Sequence, residues 1–88
     1  MRADVPRVLS AVMHSNLRIE RDQIDRGLYR FFSGEKLVSE VIVRDGEVTY
    51  GEVKLLDGTR RVCPFWKHGT ITHEKEMDRL IDAIRHHE

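Results

Sequence analysis

Cys63, His68 and His73 follow one another as Cys-x4-His-x4-His, and sulfur and imidazole are the soft donors that hold Zn2+ with a fourth position left open. The spacing matches no common zinc module. Cys63 falls in a predicted strand and His73 at a predicted helix start, so the same residues also read as a buried strand cysteine and two surface histidines. A nucleophilic Cys63 would need its pKa lowered by a cation or a helix N-terminus. Lys67 and His68 are near in sequence, but no acid is placed to orient the imidazole. Asp78 and Asp82 share the polar face of the last helix. Glu20, Asp22 and Asp25 interleave with Arg18, Arg21 and Arg26 as a solvated charge lattice. Gly34, Gly46, Gly51, Gly58 and Gly69 are dispersed, unlike a phosphate-cradling loop. No catalytic residue is assigned, and neither an enzyme activity nor a cofactor is expected.

A second chemistry is nucleic-acid binding. Arg18, Arg21, Arg26, Arg30, Arg60 and Arg61 could supply phosphate contacts, and Tyr29, Phe31, Phe32, Phe65 and Trp66 could stack bases. Against this, 15 Lys and Arg balance 15 Asp and Glu, a formal net charge of zero without the one-sided field of such binders. Zero net charge also lowers the barrier to self-association.

Eighty-eight residues support one domain over residues 1–88. The single cysteine cannot form an internal disulfide, the N-terminal residues lack an apolar signal-peptide core, and no run approaches a bilayer span. A cytoplasmic address and no membrane partner are therefore expected.

These residues need elements to hold them. Asp4 is a candidate N-cap and Pro6 suits a first helical turn. Val5, Val8, Leu9, Val12 and Met13 then recur as one apolar stripe, and Asn16 is a plausible stop. Leu17 to Glu20 alternates as a short strand would, while Glu20 to Arg26 could form a short helix ending at Gly27; the helix is the preferred reading. Strands follow over Leu28–Phe32, Leu37–Arg44, Glu47–Leu55 and Thr59–Trp66. Thr72 is the expected N-cap of a final helix whose stripe is Met77, Leu80, Ile81 and Ile84.

Asp45-Gly46 is a strong type I′ hairpin signal. Its two-residue loop pairs Arg44 with Glu47, Val43 with Val48, Ile42 with Thr49 and Val41 with Tyr50. Val41, Val43, Val48 and Tyr50 then face the core, with a bulge expected at Gly51. The predicted fold is α+β: an antiparallel three- to four-stranded meander with an N-terminal and a C-terminal helix on one face, a two-layer sandwich.

The order helix, three strands, helix resembles the double-stranded RNA-binding domain across most of the chain. That family carries a lysine-rich patch where its last helix starts; the matching positions here are His73-Glu74-Lys75-Glu76, half of them acidic. Locally, Arg61-Val62-Cys63-Pro64-Phe65 followed by Glu76-Met77-Asp78-Arg79-Leu80-Ile81 is similar to the tail of class V PLP-dependent aminotransferases, which implies a strand followed by a helix. The cofactor-binding domain of that family has no counterpart here.

The reading that results is a small non-enzymatic protein-interaction or regulatory module. It would use an exposed sheet face or edge to bind a protein partner or a second copy of itself as a homodimer. Tyr29, Phe31, Arg44, Glu47, Trp66 and His68 are the expected surface residues. Nucleic-acid binding through the arginines and a metal or thiol centre at Cys63, His68 and His73 are the alternatives.

Overall fold

A computed structural model describes residues 4–55, 57–64 and 70–87. Helix α1 (Asp4–His14) leads into five strands, β1 (Arg18–Arg21), β2 (Leu28–Ser33), β3 (Lys36–Arg44), β4 (Glu47–Lys54) and β5 (Arg60–Pro64), and α2 (Ile71–Arg85) follows. The strands form one antiparallel sheet in the order β1-β2-β3-β4-β5, and one core joins both helices to it. The expected α+β sandwich is therefore present, with a fifth strand.

That strand replaces the expected short helix. Asp22 accepts hydrogen bonds at Oδ2 from the N–H groups of Ile24 (3.0 Å) and Asp25 (2.7 Å), which turns the chain after β1 instead of winding it into a helix. Asp22 N–H then donates to Leu28 O and Val43 N–H to Gly27 O. Gly27 is required by this close approach and not as a helix cap: a Cβ there would stand 2.3 Å from Val43 O. The turn at Asp45 (φ 53°) and Gly46 (φ 79°) has the left-handed pair that type I′ demands.

Arg44 opposes Glu47 and Val43 opposes Val48, as the turn predicts. Beyond that the register slips, and Ile42 opposes Tyr50 while Val41 opposes Gly51. The extra residue is Thr49, two positions before the glycine where a bulge was expected. Tyr50 consequently points away from the core, and Gly51 and Val53 carry the apolar phase beneath the helices.

In α1 the buried residues are Asp4, Val8, Ala11 and Val12, whereas Met13, expected in the apolar stripe, is 71% exposed. The N-cap of α2 is Thr70, two residues before the expected Thr72, and its hydroxyl accepts from His73 N–H at 3.1 Å. His73, Met77, Leu80, Ala83 and Ile84 face inward, and Ile81 is half-buried at the margin.

Asp4 is more than an N-cap candidate. Its carboxylate is 1% exposed, and Oδ2 accepts from Val48 N–H at 3.0 Å and lies 2.9 Å from His73 Nε2. Farther along, Arg7 reaches Glu74 and Asp78, and Ser15 Oγ donates to Ile84 O. Contacts that advance together along both chains mean that α1 and α2 run parallel.

Breaking a buried pair by removing one partner costs about 3 kcal/mol or more. Asp4→Ala should lose on the order of that in urea denaturation and Asp4→Asn less, since an amide oxygen can still accept from Val48. A loss below about 1 kcal/mol in Asp4→Ala would show that the pair is dispensable. Gly27→Ala should cost roughly 1–3 kcal/mol, because backbone must move to admit the methyl; an unchanged midpoint would contradict the close approach.

Candidate functional site: the uncovered sheet face

Strand alternation and the observed register divide the sheet into cross-strand rows. Toward the helices lie Tyr29, Val41, Gly51 and Cys63 in one row and Phe31, Ser39 and Val53 in the next. All of these are buried except the half-buried Tyr29. Away from the helices lie three further rows, and none of their residues is buried. The first is apolar: Leu28, Ile42, Tyr50 and Pro64. The second is ionic: Glu20, Arg30, Glu40 and Glu52, ending at Val62. The third begins with Arg18, Phe32 and Leu37 and is completed by Lys54 beside Arg60. Among the described residues, nothing packs across these rows.

The arginines and glutamates on this face pair with one another. Arg18 pairs with Glu20, Arg30 Nε lies 3.4 Å from Glu40, and Arg60 lies 3.1 Å from Glu52. Tyr50 donates its hydroxyl to the other oxygen of Glu52 at 2.9 Å, and the carboxylate beside it holds the phenol above its ordinary pKa. The Arg18 guanidinium also caps the Phe32 ring at 4.7 Å. A cavity of about 210 Å3 indents one end of the face, with Leu37, Glu40, Glu52, Lys54 and Arg60 in its walls.

At the other end stands the β1–β2 loop. Asp25 binds Arg44 through both oxygens, at 3.0 and 2.7 Å, and accepts from Gly27 N–H. Asp22 adds Arg30 at 3.2 Å to its two backbone donors. Both carboxyls sit below the usual carboxylate range: for Asp22 the Asp25 N–H is the leading cause, and for Asp25 the Arg44 guanidinium. This braced loop carries Ile24, 95% exposed, at its tip.

Of the expected surface residues, Phe31 is 1% exposed and belongs to the core, and Tyr29 packs against that core under Arg21. The outward aromatics are their neighbours Phe32 and Tyr50. Arg44 is exposed but engaged by Asp25, and Glu47 is half-buried beside the hairpin turn. Trp66 and His68 lie outside the described residues.

The arginine set divides across the sheet. Arg18, Arg21, Arg26 and Arg30 cluster at β1, β2 and their loop, where Glu20, Arg26 O, Asp22 O and Asp22 respectively receive them. Arg60 and Arg61 stand on β5, about 19 Å away by strand spacing, and they point to opposite faces. Of the third set, Cys63 is buried in β5, and burial first, then Glu76, pushes its thiol pKa up, opposite to what an activated nucleophile needs. The His73 ring is engaged by Asp4.

No protein-family model, no curated protein and no solved structure matches this chain.

Carboxylates depressed by folding stabilise the loop at pH values above their unfolded pKa, about 3.9, and lose that contribution as pH falls through the folded value. Amide signals of Ile24 and Gly27 should hold their dispersion near neutrality and collapse toward random-coil positions as pH falls below the ordinary carboxylate range. They should do so ahead of Val41 and Val53, and simultaneous loss at all four positions would contradict local acid control.

Proposed function

We propose that the chain is a non-enzymatic protein-interaction module and that its contact surface is the uncovered sheet face. The observation that carries this reading is the apolar row Leu28, Ile42 and Tyr50, with Val62 at the end of the adjoining row and Phe32 beyond the ionic row, on a face that no described residue covers. Val62 is 45% exposed. An antiparallel sheet often leaves one face to solvent, and that face is then polar; a continuous apolar row is the departure that calls for a partner.

The edges are less suited to strand addition. β1 is four residues long and offers Arg18, Glu20 and Arg21, while β5 offers Arg60 and Arg61 and ends in Pro64. Short, charged and proline-bearing edges resist augmentation. No helix among the described residues is long and apolar enough to cross a membrane.

The size of the face indicates the kind of partnership. Five strands and three rows cover roughly 20 by 20 Å, about 400 Å2, against about 800 Å2 per partner in a standard stable interface. A transient protein partner or a weak homodimer is therefore the expected occupant. The arginines, split between two edges and largely paired, offer less to nucleic acid.

A concentration series in sedimentation velocity, with capture from a lysate as a second arm, tests the reading. Phe32→Glu combined with Ile42→Glu should abolish association or capture while the amide spectrum stays dispersed. A strict monomer whose captured proteins are indifferent to both changes would overturn the proposal.

A further inference from the structure

On the helix side of the sheet, Arg61 stands in the inner row beside Val53, next to a cavity of about 240 Å3 lined by Leu55, Arg61, Arg79, Asp82, Ala83 and His86. Arg61 is half-buried, and its side chain makes no hydrogen bond or ion pair with any described residue. A guanidinium cannot shed its charge, and its five N–H donors lose solvation when half-buried. Arg79 enters the same cavity from α2 and gives only Nη1 to Glu76, at 3.0 Å. Both arginines line this one cavity, which places them in one neighbourhood.

The acids nearby turn to other groups, although Glu76 does so through Oε1 alone and its buried Oε2 accepts no hydrogen bond from a described residue. Glu76 holds Arg79, and Asp82 lies 3.3 Å from His86 Nδ1, which is also 2.8 Å from Asp82 O. No ion pair joins Glu76 or Asp82 to Arg61, so its guanidinium has no acidic partner within ion-pair distance among the described residues. Leu55 and Ala83 supply apolar wall, where a charge-assisted hydrogen bond is stronger than in open water.

We propose that Arg61 and Arg79 form a binding site for a phosphate group. Two forks arriving from a strand and a helix suit a tetrahedral oxyanion, which can present different oxygens to each; a planar carboxylate is matched by one fork. The cavity admits inorganic phosphate or a phosphomonoester. The site lies on the opposite side of the sheet from the proposed contact face and does not depend on it.

The test is an NMR titration of the purified protein with inorganic phosphate at constant ionic strength, chloride making up the balance. A parallel arm uses phosphoserine. The signals to follow are Nε–Hε of Arg61 and Arg79 and the amides of Leu55, Ala83 and His86. Saturable shifts confined to these groups are expected. Arg61→Gln should weaken binding about tenfold, the scale of one lost hydrogen bond to a charged group. Arg60→Gln, with the same charge change on the opposite face of the same strand, should leave it nearly unchanged. Arg61→Lys keeps the charge without the fork and should also weaken binding, which serves if the glutamine variant folds poorly. Tighter binding of phosphoserine would identify a phosphorylated side chain as the ligand, and equal binding would identify free phosphate. Absence of saturation, or equal losses in Arg60→Gln and Arg61→Gln, would overturn the proposal.

Discussion

The buried Asp4 carboxylate is the one described side chain that joins α1, β4 and α2 at a single point by polar contacts. It sits in the first turn of α1, accepts from β4 at Val48 and meets His73 in the first turn of α2. Two helix N-termini therefore converge on one anion. Parallel helices lying side by side bring like ends of their dipoles together, which is unfavourable, and a carboxylate between the positive ends offsets that repulsion. On the exposed side, Arg7 bridges to Glu74 and Asp78 and supports the same alignment. Parallel helices also follow from topology. With five antiparallel strands the first and last run the same way, so helices turning back onto the sheet at each end do likewise. An even number of strands would set them antiparallel, and Asp4 and His73 would lie at opposite ends of the layer.

Local signals in the sequence are legible where local chemistry decides the structure. The Asp45-Gly46 turn, the stop at Asn16 (φ 55°) and the inward face of Met77, Leu80 and Ile84 all follow from backbone preference or helical period. Legibility ends where a distant partner decides. Leu17 to Gly27 has strand alternation too short to outweigh helical spacing, and only β2 pairing and the Val43 approach to Gly27 settle it. The bulge falls at Thr49 and not at Gly51. Turn geometry fixes only the first two pairs, and burial of Val53 beside Gly51 sets the rest. His73 offered a usable signal, four residues before Met77 on the apolar stripe, but its type suggested surface or metal. Nothing local could connect it to Asp4, 69 positions away.

The open face has a similar history. Phe31 and Phe32 are adjacent aromatics, so one must point outward, and the sequence does not say which. Parity is settled by the irregularity opposite Val38, where Phe31 pairs with Ser39 and Phe32 with Leu37. The ion pairs around Phe32 contribute little to stability individually, since exposed pairs are worth about 0–1 kcal/mol. Their effect is on the character of the surface: each arginine is matched to a glutamate, so the face combines apolar side chains with a locally neutral frame. Such a frame keeps the apolar row soluble without imposing a long-range field on an incoming partner.

Why any face is left open follows from the dimensions of the elements. Two helices packed about 10 Å apart cover a strip about 20 Å wide, and five strands span about 19 Å between the outer axes. Both helices are therefore needed to cover one side, and the described chain has no third element for the other. A sheet so exposed could have been finished with threonine, lysine and glutamate alone, and most of the ionic row is. Leu28, Ile42 and Tyr50 are not explained by that requirement, because none of them supports a helix and none is buried. Openness is thus a consequence of element count, whereas the apolar row is a separate property of the sequence, and it is the row that supports assigning this face a partner.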